Sequence, residues 1–336
     1  MTIKDVARHC GVSVSTVSRV LNNKSDVSDG VREKVLRAVK ELNFVPNGSA
    51  RDLVSPISDA VGIVFRGDSS PFYMGIIGAM EKVFSEAGFT TVVENVRHGQ
   101  DELWAGAGLA RSKRLRGLAF LGGRFDYSPE DIEKLDVPFV CCTYTNSFGR
   151  LKAESYSSVT IDDIKTGYEA AMKLIEHGHK RIAVVMSNVD DRSIGELRYM
   201  GYRKALEDSD IALDPALLIE AGEYSMAAVR AAVEKAVDDG LEFTAVFAVS
   251  DILAIAVMKA LSNKGLRVPD DCSVLGVDGL EMASYMVPSL STLAQPTDEL
   301  GEKGARVLLD MIKNGSPGSH TVLSTSFVPG GSIAEI

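Results

Sequence analysis

Cysteine is scarce in this chain: four residues among 336, Cys10, Cys141, Cys142 and Cys272, with no Cys-x-x-Cys pair. That excludes a disulfide framework and leaves a structural zinc site unsupported, so reduced, buried thiols are expected. No stretch approaches the roughly eighteen apolar residues of a membrane-crossing helix. The start, MTIKDVARHC, also lacks the apolar segment of a signal peptide, and a cytoplasmic protein is expected. Catalytic motifs are missing too: there is no Gly-x-Ser-x-Gly, no Walker loop and no His-Glu-x-x-His. Gly106-Ala107-Gly108 begins like a dinucleotide loop but lacks the third glycine and falls inside a helical pattern with Leu103, Trp104 and Leu109. The five histidines are scattered. His177 and His179 flank Gly178 at an expected helix end, where a cation near the last carbonyls accounts for them. No enzyme, metal site or cofactor is expected.

Positive charge is short overall, with a net charge of −10, which argues against polyanion binding by the whole molecule. Residues 1–53 depart from this. They carry nine Lys/Arg (Lys4, Arg8, Arg19, Lys24, Arg32, Lys34, Arg37, Lys40, Arg51) against six acids. A small basic head on an acidic body can touch DNA with one end while the other end is repelled. The length implies two or three domains, and 45% hydrophobic with 24% charged residues is the composition of a globular protein with ample core.

What the head does contain is TIKDVARHCGVSVSTVSRVLNN, Thr2 to Asn23. Ala7, Gly11 and Val17 have the spacing of a helix-turn-helix. A small Ala7 lets the second helix pack close, Gly11 can take the left-handed backbone of a tight turn, and Val17 is the buried contact. Val6, Cys10, Val12, Val20 and Leu21 supply the other apolar positions, and Ser13 is a candidate N-cap. Between them Ser15, Thr16, Ser18 and Arg19 suit bases and phosphates. Ser28 reads as the N-cap of a third helix through Val31, Val35, Leu36, Val39 and Leu42, which Pro46 stops. The segment Asn47–Leu53, before a second break at Pro56, is too short to be a stable helix alone. Both a plain linker and an element that orders only when docked remain open.

From Ala60 short β-branched runs alternate with longer amphipathic stretches. Strand candidates are Val61–Phe65, Thr90–Glu94, Gly117–Leu121, Phe139–Cys142, Ile182–Met186, Ala245–Val249 and Ser273–Val277. Helix candidates include Tyr73–Ala87, Thr166–His177, Tyr199–Ser209, Met226–Asp239 and Ile252–Lys264. The alternation predicts parallel sheets with helices on both faces, in two series of about 60–160 and 163–290. Ligands of such sheets bind outside the carboxyl ends of the strands. Asp162, Ser250, Asp251 and Asp278 follow strand candidates, Arg198 begins a helix candidate, and Phe72 and Tyr224 lie on expected loops. Carboxylates beside an arginine can hold several hydroxyls, and an aromatic face can stack on a sugar ring. For Asp251 a helix cap, and for Asp162 and Asp278 simple loop solvation, are the alternatives.

The motifs T-I-K-D-V-A-x-x-x-G-V-S-x-x-T-V-S-R-V-L-N and V-P-N-x-x-A-R-x-L resemble those of the LacI/GalR family of bacterial transcription regulators. The resemblance continues through Ser70-Pro71-Phe72-Tyr73, Asp162-Asp163, Gly178–Ala183, Arg198–Tyr202, Asp251, Val268-Pro269-Asp270, Gly276-Val277-Asp278 and Gln295-Pro296. It implies a small all-α helix-turn-helix headpiece (1–45), a hinge helix and linker (46–58), and an α/β periplasmic-binding-protein-like body (59–336). That body would be two doubly wound parallel-sheet lobes joined by three crossovers. Lobe one would hold about 59–161 plus 292–325, and lobe two about 162–291 plus 326–336.

The resemblance further implies a homodimer on a pseudo-palindromic operator, expected to be a repressor and nucleoid-associated when bound there. DNA contacts would come from Thr2, Val14, Ser15, Thr16, Ser18, Arg19, Asn23, Ala50 and Leu53. Val14, Ser15 and Arg19 would meet base edges, Thr16 and Ser18 phosphates, and Leu53 would wedge the central step. Phe72, Asp162, Arg198, Tyr224, Ser250 and Asp278 would contact a small effector between the lobes, expected to be a sugar or sugar derivative. Three pairs depart from the family's frequent pattern: Ser250-Asp251 for Asn-Asp, Asp278-Gly279 for Asp-Asp, and Asp162-Asp163 for Asp-Asn. A nucleoside or protein co-regulator, or a binding-protein-like sugar carrier, are the alternatives. No C-terminal heptad run suggests a tetramer.

Overall fold

Gly11 turns the chain between two helices at φ 62°, as the spacing requires. The helices are α1 (Ile3–Cys10) and α2 (Val14–Leu21), and α3 (Asp29–Glu41) closes a three-helix core. This computed structural model describes residues 3–21, 27–42, 59–67, 71–97 and 100–336. They fall in two units, Met1–Ser58 and Asp59–Ile336, which are taken separately. In the first unit Val6, Ala7, Cys10, Val17, Val20, Val35 and Ala38 are buried together. Ser13 Oγ accepts from Thr16 N at 3.1 Å, capping α2, and Ser28 O accepts the first turn of α3 from Arg32 N at 3.0 Å. His9 Nε2 lies 3.3 Å from Glu41 Oε2, linking α1 to α3. Thr2, Asn23, Ala50, Leu53 and the expected hinge at 46–58 lie outside the described residues.

The second unit begins with β1 (Ala60–Arg66), α4 (Pro71–Glu86), β2 (Thr90–Val96), α5 (Glu102–Lys113), β3 (Leu118–Leu121), α6 (Pro129–Ile132), β4 (Phe139–Cys142) and β5 (Ser157–Ile161). The chain then enters a second series: α7 (Asp163–Glu176), β6 (Ile182–Met186), α8 (Ile194–Asp208), β7 (Leu218–Glu220), α9 (Met226–Asp238) and β8 (Ala245–Ala248). This series goes on with α10 (Asp251–Asn263), β9 (Ser273–Asp278), α11 (Glu281–Ser284) and β10 (Ser291–Ala294). Last come α12 (Thr297–Asn314), β11 (His320–Leu323) and β12 (Ser326–Val328).

Among the described residues these make two six-stranded sheets, ordered β11-β5-β4-β3-β1-β2 and β12-β10-β9-β8-β6-β7. Pairing is parallel throughout except between β10 and β12. The chain passes between sheets after β5, after β10 and after β11. Because β10 pairs with β9 from Ser291 to Ala294, the second crossover comes at Gln295-Pro296 and not at 292 as expected. α12 returns to the first lobe, burying Leu300, Ala305 and Leu308 against Val61, Ile63, Ile76 and Met80.

Two glycines set the packing of the second lobe. α7 and α8 cross where Gly167 faces the Arg198 carbonyl and Gly201 faces the Ile164 carbonyl. A Cβ on either would collide with main chain, so the two backbones meet without an intervening side chain. The C-terminal tail is woven into the same lobe: Ser332 Oγ donates to Val274 O at 2.6 Å and accepts from Ser291 N at 2.8 Å.

His179 corrects the helix-end reading. Its ring is buried between Thr244 Oγ1 (3.0 Å) and Ala334 O (3.2 Å), and burial pulls its pKa below the usual value, so it is a neutral pin. All four cysteines are buried and free, and burial pushes Cys141 up to about 12. Gly106 sits inside α5 against the Phe120 ring, as a packing residue. Among the described residues no helix is long and apolar enough to cross a membrane.

Candidate functional site

The lobes meet at the carboxyl ends of their strands, where the second lobe supplies most of the polar groups. Ser193 caps α8 by accepting from Gly195 N at 3.0 Å, which places Arg198 in the second turn and not at the helix start. Its guanidinium is 1% exposed. Arg198 Nε donates to Asp163 Oδ1 at 2.9 Å, and Nη1 donates to Val249 O at 2.5 Å and lies 3.8 Å from Asp278 Oδ1. Burial pushes Asp163 upward while Arg198 pulls it down. Asp163, the first residue of α7, was not among the expected contacts. Asp162 was, but it is exposed and caps α7 through Lys165 N at 2.9 Å. The two are neighbours in sequence, and the turn into α7 sends the second one inward.

β9 ends at Asp278 with φ 136°, followed by Gly279 at φ 76°, and this strained turn aims the carboxylate into the cleft. Gln295 Nε2 donates to Asp278 Oδ1 at 2.8 Å. Ser250 is the N-cap of α10, receiving Leu253 N at 3.4 Å, and it accepts the Tyr224 hydroxyl at 2.7 Å. Asp251, offered as a possible cap, is instead buried and accepts from Leu280 N (2.8 Å) and the Thr292 hydroxyl (2.6 Å). It holds the β9 and β10 ends in place. Tyr224 is raised by burial first and by the Asp278 charge second, and the same two causes raise Tyr73.

The first lobe supplies Phe72 and Tyr73, in the first turn of α4 and not on a loop, with ring centroids 5.5 Å apart. They belong to an apolar cluster that Leu280 and Ile252 of the second lobe also join. At the rim Asp126 Oδ2 takes Arg192 Nη1 from across the cleft at 3.1 Å, and its Oδ1 takes Arg124 Nε at 2.9 Å. Burial would raise Asp126, but these two arginines hold it low. Leu197 of α8 packs with Phe125, Tyr127 and Tyr144 of the first lobe. Beneath them Glu102 is buried, accepting from Arg124 N and the Tyr127 hydroxyl, with Arg66 Nε 3.7 Å from Oε2. Of the six expected effector residues, Arg198, Tyr224, Ser250 and Asp278 are thus brought together. Phe72 is in the interlobe core, and Asp162 lies outside. Asp163, Tyr73 and Gln295 were missed, though Gln295 directly follows a strand end.

The separate DNA-facing candidates lie on α2. Val14 is 40% exposed, Ser15 and Arg19 are exposed, and Thr16 and Ser18 are half-buried, opposite the buried Val17 and Val20. Thr16 Oγ1 and Ser15 Oγ both hydrogen-bond Ser13 Oγ, at 2.8 and 2.7 Å.

The site carries a pH signature. Burial, with the Asp251 charge adding to it, pushes Asp278 up to about 7 despite Arg198. In the unfolded chain it titrates near 4, so the native state holds a proton that the unfolded state has lost between those values. Its stabilising effect is full below about pH 4 and gone as pH rises through about 7. Asp278→Asn is therefore expected to raise the melting temperature by several degrees near pH 8 and by little near pH 5. An equal shift at both pH values in calorimetry would refute the assignment.

Comparison with known proteins agrees with this architecture. A family described as bacterial regulatory proteins, lacI family, matches residues 2–47, and the periplasmic binding protein-like domain matches 171–333. The HTH-type transcriptional regulator MalR of Clostridium butyricum is 36% identical over 330 residues, 98% of each chain. Among solved structures, a complex of the transcriptional regulator CelR with cellobiose superposes with TM-score 0.73 at 32% identity, covering 99% of both chains. The lac repressor dimer bound to operator and the anti-inducer ONPF gives 0.79 at 26%, again over 99% of both. With relatives of this identity along its whole length, the chain belongs to the LacI family of bacterial transcriptional regulators, which are DNA-binding proteins and not enzymes.

Proposed function

We propose that this regulator is a cytoplasmic homodimeric repressor whose hold on a pseudo-palindromic operator is set by a sugar or sugar derivative bound between the lobes. The observation that carries the reading is the cluster that the second lobe gathers at its strand ends: one buried arginine, carboxylates on either side of it, and the Tyr224–Ser250 hydroxyl pair. Directional hydrogen-bonding groups beside aromatic rings suit a polyhydroxyl ligand. The relation to CelR, solved with cellobiose, points the same way.

Residues 1–45 bind DNA through Thr2, Val14, Ser15, Thr16, Ser18, Arg19 and Asn23, and 46–58 form the hinge, where Ala50 contacts DNA and Leu53 enters the minor groove. The effector and dimerisation body is 59–336, with Phe72, Asp162, Arg198, Tyr224, Ser250 and Asp278 around the ligand. A headpiece this weakly charged needs two copies for enough phosphate contacts. The effector favours one lobe orientation, and that orientation decides whether two hinge segments can fold side by side. Coupling of this kind works only through differential affinity for the two orientations.

The test is operator binding by fluorescence anisotropy, on the palindromic sites nearest the gene, with and without a sugar panel. A sugar that shifts affinity by about tenfold or more identifies effector and sign together. If DNA binds and no sugar matters, nucleosides and a protein co-regulator come next. Leu53→Ala is expected to weaken operator binding by at least about tenfold, as loss of a minor-groove wedge would, with effector affinity nearly unchanged. Equal loss of both would sink the hinge assignment.

A further inference from the structure

Among the described residues Arg198 is the one arginine or lysine that is buried, and its charge is already spent. Its Nε is held by Asp163 at 2.9 Å and its Nη1 by the Val249 carbonyl. A guanidinium grips a carboxylate or phosphate through two parallel N–H donors, and Asp163 occupies the Nε side of that fork. Three carboxylates, Asp163, Asp251 and Asp278, surround this single cation. Asp251 is committed on both oxygens, to Leu280 N and Thr292. Asp278 accepts Gln295 on Oδ1, and its Oδ2 takes no hydrogen bond among the described residues. The inner end of the cleft thus offers a spare carboxylate oxygen and no spare cation. Arg66 of the first lobe pairs with Glu102, while at the outer rim Arg124 and, from the second lobe, Arg192 share the single carboxylate of Asp126.

We infer that this cleft selects neutral or amine-bearing sugars and rejects sugar acids and sugar phosphates, with Asp163 as the residue that sets the discrimination by occupying Arg198. The inference rests on the sugar-effector reading of the cleft and narrows it. Above about pH 7, where Asp278 is ionised, like charges brought together across the site disfavour an acidic counterpart of a ligand, which should bind roughly a hundredfold more weakly.

Two arms test this on the full-length protein. In the first, cellobiose, glucose, glucosamine, glucuronate and glucose 6-phosphate are titrated by calorimetry near pH 8, where Asp278 is ionised. Binding by a neutral or amino sugar, with the acids weaker by about a hundredfold, is the expected result. Equal or tighter binding of an acid overturns the inference. If none of the five binds while the operator does, the sugar-effector reading itself fails.

The second arm needs no sugar. Thermal stability is followed against low-millimolar sulfate, with chloride at matched ionic strength as the control. Wild type should show no saturable gain, and Asp163→Asn, which frees the Arg198 fork, should acquire one. A saturable gain in wild type that Arg198→Met removes overturns the inference. So does a folded Asp163→Asn protein that gains nothing.

Discussion

Arg198→Met should destabilise the body by about 3–5 kcal/mol, because it leaves Asp163 buried without its partner. At roughly 2–4 °C per kcal/mol for a unit of this size, the melting temperature falls by more than about 6 °C. Asp163 then escapes by taking a proton, so the loss is greatest at high pH and shrinks toward acid. The double variant Arg198→Met/Asp163→Asn should recover part of the stability, since the Asp163 charge goes with the arginine's while Asp278, 3.8 Å from Arg198 Nη1, stays. Denaturant unfolding of all three proteins at two pH values decides it. A single variant within about 1 kcal/mol of wild type would mean that the pair is solvated. Operator affinity should survive the substitution while any response to effector is lost, because Arg198 is remote in sequence from the headpiece but central to the cleft.

Gly201→Val is the second large effect. The side chain would meet the Ile164 carbonyl and the Tyr168 main chain. Neither can move without shifting α7 against α8. Overpacking costs typically 1–3 kcal/mol and more where backbone must give, so a loss of about 3 kcal/mol or more is expected. The displacement would separate Asp163, at the start of α7, from Arg198, on α8. Effector binding should therefore fall by more than the stability loss alone explains. Gly78→Ala is the control: it sits in α4 with nothing near its Cβ position, and should be stabilising by about 0.5–1 kcal/mol. If both variants melt alike by circular dichroism, the close crossing is not what holds these helices.

Much of the site could be read from residue order alone. Asp278 and Ser250 follow apolar strand runs, and the carboxyl ends of parallel strands must meet at one edge. Arg198 could be placed on a helix but not given a partner. Asp162 and Asp163 are adjacent, and periodicity cannot say which of two neighbours caps the helix and which turns inward. The strands that escaped notice are short, like the three-residue β7, or written in polar residues. β5 is Ser157-Ser158-Val159-Thr160-Ile161, yet every residue of it is buried. Ser158 Oγ is satisfied by His320 Nδ1 at 2.8 Å, and Ser157 Oγ by Met311 Sδ at 3.3 Å. Their partners lie more than 150 residues away, so no local pattern carries the signal. β11 is short and pairs with β5, as distant in sequence, while the short β10 and β12 pair with each other across a helix and a strand. In the headpiece the opposite holds: Ala7, Gly11, Ser13 and Val17 act on neighbours a few positions away, and each was placed from spacing.

The three crossovers also fix an order of events during synthesis. The first lobe to leave the ribosome is completed only after most of the second has been made, because its sheet face of Val61, Ile63 and Ala119 is covered by Leu300, Ala305 and Leu308 of α12. At 5–20 residues per second, the interval between β5 and α12 is on the order of ten seconds. Through that interval a nascent chain carries an uncapped apolar sheet while the second lobe is being made. This is the state in which a trigger-type chaperone, or premature contact with a second nascent chain, would act on this protein.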